Sequence, residues 1–187
     1  PEPPRMPAPS TASRWSRFFP DPAAISPVEI IGAALAIGGL LYLHSQSMRL
    51  VDAPLFVAPL AASIAIIFIQ PGMTVARSWN VIAGQGVAAA VGLVSVHLLG
   101  GHVEIAGAVA LAAALAAMRL LHCLHPPACA TALIIVVTPT AQHAGFLLFP
   151  VVTGAVLIVL VAWAVHVVEA RIPARWGGRI TPHHGQP

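Results

Sequence analysis

Apolar residues run through this chain in long blocks rather than at alternating positions. The blocks cover 30–47, 53–70, 79–99, 105–138 and 144–168. A helix needs ~20 mainly apolar residues to cross the ~30 Å hydrocarbon core of a bilayer, and each block reaches or approaches that length. Membrane β-strands alternate apolar and polar residues. These blocks do not, so helices are predicted. The block 105–138 has room for nearly two passes and is interrupted by Arg119, His122, His125 and the Pro126-Pro127 pair. The pattern predicts an all-α membrane protein of about six hydrophobic segments.

Composition agrees. The chain is 58% hydrophobic and only 8% charged, whereas soluble domains carry about 25% charged residues. Between Ile30 and Val168 the only charges are Arg49, Asp52, Arg77, Glu104 and Arg119. Three regions follow: a Pro/Arg-rich tail over 1–27, a transmembrane domain over 28–169, and a basic tail over 170–187. The first tail has no short apolar core with a small-residue cleavage site, so a cleaved signal peptide is not expected. With six passes and both tails in the cytoplasm, Arg5, Arg14, Arg17, Arg77, Arg119, Arg171, Arg175 and Arg179 all fall inside and only Arg49 outside. That distribution satisfies the positive-inside rule. A bacterial inner (plasma) membrane location is expected. The net charge of +3 is then a matter of orientation, and no nucleic-acid partner is expected.

An internal repeat stands at an offset of 68. Residues 59–71 read PLAASIAIIFIQP and residues 127–139 read PACATALIIVVTP. Both start with Pro, place Ala62-Ser63 or Ala130-Thr131 at the fourth and fifth positions, and close with a polar residue and Pro. One hydrophobic segment precedes each and one follows. Three segments per half is an odd number, so the second half is inverted relative to the first, an arrangement that sets solute sites where the halves meet. Proline suits a first helical turn and not an interior one. The helices at 59–70 and 127–138 are therefore ~18 Å long at 1.5 Å per residue, about half the hydrocarbon thickness. They are read as half-helices with N-termini at depth, where unpaired N–H groups would attract an anion, or as short helices continued by unwound chain. Ordinary helix starts near the surface are the alternative.

Polar residues within the lipid core are costly and point to function. Ser63 and Thr131 hold matching repeat positions; otherwise they back-bond to a helix carbonyl or allow close packing. Asn80, Gly84 and Gln85 form a second set, with amides able to donate to an anion. Gly84, Ala88 and Gly92 also make a small-residue seam suited to helix contact. His125 could donate to an anion or couple its entry to a proton, or simply position the turn. Arg119 could attract anions or extend to the headgroups. With the helix starts, the candidate solute-binding set is Pro59, Ala62, Ser63, Asn80, Gly84, Gln85, Arg119, His125, Pro126, Pro127, Ala130 and Thr131. His122, Cys123, His125 and Cys129 suggest a metal-handling alternative, but their spacing matches no standard site, so neither a metal site nor a cofactor is expected. Phosphate loops, a nucleophile elbow and paired carboxylates are absent, and no enzymatic activity is expected.

The stretch His125-Pro126-Pro127-Ala128-Cys129-Ala130-Thr131-Ala132-Leu133 resembles the signature of the HPP family of integral membrane proteins, commonly HPPAGATAL. Ala58-Pro59-Leu60-Ala61-Ala62-Ser63 is similar to its PxGAS segment, and Trp79-Asn80-Val81-Ile82-Ala83-Gly84-Gln85 to its RNVIGGH segment. The chain departs from the pattern at Cys129 and Ala61, where Gly is frequent, and at Gln85, where His is frequent. The resemblance implies membrane transport, with plant and cyanobacterial members linked to nitrite. The expected function is a transporter or channel for a small inorganic anion, embedded in the lipid bilayer as a homo-oligomer. A non-transporting scaffold subunit is the remaining alternative. Family descriptions of four spans agree with six segments if the two short helices re-enter.

Overall fold

The computed structural model describes residues 27–50 and 57–171. The two tails expected at the ends lie almost wholly outside the described residues, as does the stretch 51–56. Seven α-helices are described: α1 (Pro27–Leu50), α2 (Val57–Ile69), α3 (Ser78–Leu99), α4 (Val103–Leu120), α5 (Pro127–Val137), α6 (Ala144–Phe146) and α7 (Thr153–Glu169). Among the described residues there is no strand. By length and composition α3, α4 and the run Ala144–Glu169 can each cross a membrane. The helices α2 and α5 have 13 and 11 residues, so both are as short as the paired prolines require.

The expected segment over 144–168 is present as the run Ala144–Glu169, but its helix is not regular throughout. It is broken at Leu147–Val152, where the helix widens and Phe149 leaves helical geometry (φ −132°, ψ 112°). Pro150 causes the break: it has no N–H to give and its ring collides with the preceding turn.

Glycines show which way the helices run. A Cβ at Gly32 would strike Val165 and Phe68, one at Gly39 would touch Leu157, and one at Gly154 would meet Leu60 and Leu40. Low numbers on α1 thus face high numbers on both α2 and α7, so α1 is antiparallel to each. On α3, Gly84 abuts the backbone at Cys123 and the side chains of His125 and Met118, while Gly92 abuts Ala132 and Ile135. Hence α3 and α5 run parallel, and α4 runs against them.

The repeat is visible in these pairings. In the first half α1 packs on α2 and on α7; in the second, α4 packs on α5 and on α3. Advancing by 68 carries α1 toward α4, α2 onto α5 and α3 onto α7. Each half's first helix therefore lies against the other half's last helix. Two apolar clusters result. Leu40, Leu60, Ile64, Phe68, Phe146 and Ile158 fill one. Ala88, Ala106, Ala110, Ala114, Met118 and Ala132 fill the other. The second is built of small residues because its helices approach closely, as dispersion-driven packing within lipid favours.

Candidate functional site

Where α2, α3 and α5 converge, four polar side chains are fully buried: Ser63, Gln85, His125 and Thr131 are each 0% exposed. Ser63 is six residues from the end of α2, and Gln85 is seven past the start of α3. At 1.5 Å per residue both lie roughly 10 Å from their helix ends.

The four form one hydrogen-bonded chain. His125 Nδ1 donates to the Val75 carbonyl at 2.8 Å, and its Nε2 lies 2.8 Å from Ser63 Oγ. Gln85 Nε2 donates to Ser63 Oγ at 3.1 Å. Thr131 Oγ1 donates to Gln85 Oε1. Ser63 Oγ also lies 2.9 Å from the Pro59 carbonyl one turn back. A single amide thus joins Ser63 and Thr131, the matching positions of the two halves. Every buried side-chain polar atom among the described residues has a partner, as burial in a low-dielectric interior demands.

Local backbone chemistry holds His125 in place. Helix α4 ends with His122 in the left-handed region (φ 52°). The Cys123 N–H reaches back to the Met118 carbonyl at 2.9 Å, the closure of a Schellman cap. Buried Met118 and Cys123 complete the apolar contact that accompanies such caps. Asn80 Nδ2 then donates to the Leu124 carbonyl at 3.0 Å, tying the loop to α3. Gly84 matters here: a Cβ would come within 2.9 Å of the Cys123 carbonyl and 2.8 Å of His125 Cβ, so only glycine admits the loop this close.

The start of α5 differs from expectation. Pro126 is already helical (φ −52°, ψ −39°), and the N–H groups of Ala128 and Cys129 bond to the carbonyls of His125 and Pro126 at 2.9 and 3.0 Å. These amides are paired, because the double proline winds the chain one turn early. Polarity at the crossing comes from side chains instead. The start of α2 adjoins residues outside the described set.

Of the twelve predicted site residues, Ser63, Asn80, Gly84, Gln85, His125 and Thr131 come together, with Pro59 contributing its carbonyl. Pro127 is half-buried at the start of α5. Ala62, Ala130, Arg119 and Pro126 are exposed and stand apart from the cluster. Ala62 and Ala130 each precede an inward residue by one position, which is about 100° of helical rotation. Arg119 follows buried Met118 in the same way. The Val75 and Leu124 carbonyls escaped sequence reasoning, since a backbone acceptor leaves no mark on residue type. The metal-handling alternative finds no support. Among the described residues no three His, Cys, Asp or Glu stand together to hold an ion; His122 points to the exterior, and both His125 nitrogens have partners.

Helices of this length and apolarity, wrapped around a buried polar cluster, define an all-α, multi-pass membrane protein. The chain belongs to the HPP family: the model of the HPP transmembrane region matches residues 21–173. Two transmembrane proteins of Dictyostelium discoideum are similar. One is 31% identical over 132 residues, covering 68% of this chain and 46% of its own length. The other is 34% identical over 111 residues, covering 57% of this chain and 36% of its own. The chain thus spans less than half the length of these relatives. No solved structure matches it.

Proposed function

We propose that this protein is a transporter or channel for a small inorganic anion, with nitrite the first solute to test, and that the anion passes through the Ser63–Gln85–Thr131 crossing. One observation carries the reading: a lone amide links equivalent hydroxyls of two inverted halves deep among apolar helices. Solute sites in inverted repeats lie at such junctions, and polar groups at that depth are retained for function. Hydroxyl and amide donors suit a small anion, since they stabilise negative charge without the desolvation cost of a buried cation. In its present arrangement the cluster is closed, because its donors are occupied by one another. Passage requires the anion to take over the hydrogen bonds that Gln85 makes.

Exposed Arg77 and Arg119, near the α1 start and the α7 end, support a cytoplasmic placement of that side in a bacterial inner membrane. The exposed stripe Ala108, Ala112 and Ala116 supports a homo-oligomer through α4.

The test is nitrite flux into proteoliposomes, with formate and nitrate as competitors. Substituting Ser63→Val or Thr131→Val should lower the rate about 5- to 30-fold, since an intramembrane donor that contributes about 1–2 kcal/mol is lost. Flux that is unaltered in both variants would remove the crossing from the pathway.

A further inference from the structure

We propose that anion entry is electroneutral, one proton being taken up at His125 Nε2 for each anion that enters the cluster. The inference rests on the anion reading above and adds the accompanying cation.

Hydrogen inventory at Ser63 is the starting point. A carbonyl can only accept, so the 2.8 Å contact to Val75 fixes the Nδ1 position as N–H. Nε2 is then the nitrogen that changes state, and it faces Ser63 Oγ at 2.8 Å. Ser63 has one hydrogen and two acceptors in reach: Nε2 of the neutral ring, and the Pro59 carbonyl at 2.9 Å. With neutral imidazole, the hydroxyl donates to Nε2. When a proton from water bonds to Nε2, the new N–H donates to Oγ and the hydroxyl rotates to Pro59. Until an anion takes over its hydrogen bonds, Gln85 Nε2 donates to Oγ in both states. One hydroxyl rotation therefore accommodates the proton with every heavy atom in place and every donor satisfied.

No carboxylate stands on the elements that build the cluster: helices α2, α3 and α5 and the segments 70–77 and 121–126 contain neither Asp nor Glu. The carboxylates of the helices packed around them lie at helix ends, Glu29 in the first turn of α1, Glu104 in the first turn of α4 and Glu169 at the end of α7. The other titratable or cationic groups on these elements are Arg77, His97, Arg119, His122, Cys123 and Cys129, and α7 adds His166 in its last turn. The two arginines, His97 and His122 are exposed, and Cys123 and Cys129 are neutral as thiols. An isolated buried cation is expensive, and a buried anion held by neutral donors is expensive likewise. Together each supplies the other's missing counter-charge, so the two enter as a pair. Protons therefore favour anion binding: affinity rises as pH falls, by up to about tenfold per pH unit for one linked proton.

Calorimetric titration of the detergent-solubilised full chain with sodium nitrite, in buffers of differing ionisation enthalpy, counts the protons. The expected result is one proton taken up per nitrite bound, and none in His125→Gln, whose amide can hold the contacts but not the charge. Nitrite binding to the wild-type chain without proton uptake would overturn this inference and leave the anion reading standing. Failure to bind nitrite in any buffer would overturn both. In proteoliposomes the companion result is nitrite influx unaffected by a potassium-diffusion potential; influx that follows the potential would also defeat the pairing.

Discussion

Replacing Gly92 with alanine tests the close approach of α3 and α5 on which the polar crossing depends. A Cβ at this position would lie 2.8 Å from the Ala132 carbonyl oxygen and 3.1 Å from its Cα. Both are backbone atoms, so no side-chain rotation can make room. Ordinary contact begins near 3.4 Å, so α5 must withdraw by 0.6 Å (3.4 minus 2.8). Overpacking costs about 1–3 kcal/mol, and a clash with backbone atoms falls in the upper part of that range, about 2–3 kcal/mol. Alanine recovers up to about 1 kcal/mol through helix propensity, leaving a net loss of about 1–2 kcal/mol. Gly38 provides the control: it too is helical, but a Cβ there meets nothing within 4 Å, so Gly38→Ala should be neutral or slightly stabilising. Equilibrium unfolding in mixed micelles reads both. Because Thr131 is the neighbour of Ala132, the withdrawal should also loosen the Thr131–Gln85 bond and reduce nitrite flux. A Gly92→Ala protein as stable as wild type would refute the stated contact between the helices.

Three further outcomes are expected. Gln85→Glu places a carboxylate beside His125 and supplies the counter-charge from within; nitrite binding should fall more than about tenfold by like-charge exclusion, measured by titration, while the fold persists by circular dichroism. His122→Gly relieves a side chain held at positive φ, and since that ring is exposed, unfolding should show a gain of about 1 kcal/mol. Asn80→Ala leaves the Leu124 carbonyl without its donor; a loss of about 1–2 kcal/mol is expected, seen as a lower midpoint in the same unfolding assay.

The sequence reading was strongest where chemistry is periodic or covalently constrained. Paired prolines bounded α2 and α5 to within two residues, because a residue without an N–H can only open a helix or stop one. Unbroken apolar runs placed α3 and α4 for the same elementary reason that lipid offers no hydrogen bonds. Serine and threonine at equal offsets pointed to a junction. What joins them was not legible: Gln85 lies on a third helix, and its reach depends on how near α3 comes to both partners. Of the two expectations for Ser63, the back-bond is present at the Pro59 carbonyl, and the contacts with His125 and Gln85 were not foreseen. The paired amides at the start of α5 were missed because the sequence shows two prolines but not that the first is already helical. Pro150 was likewise visible as a residue, yet its effect on the last segment depends on the backbone around Phe149.

The duplicated frame is symmetrical, but the chemistry it carries is not. Shifting Gln85 by the repeat offset arrives at Thr153, an exposed residue whose hydroxyl bonds to the Leu148 carbonyl, and shifting His125 back arrives at Val57. Neither the bridging amide nor the imidazole has a twin. Only one half of the frame carries a base, so the two halves, alike in their helices, differ in what they can do with a proton.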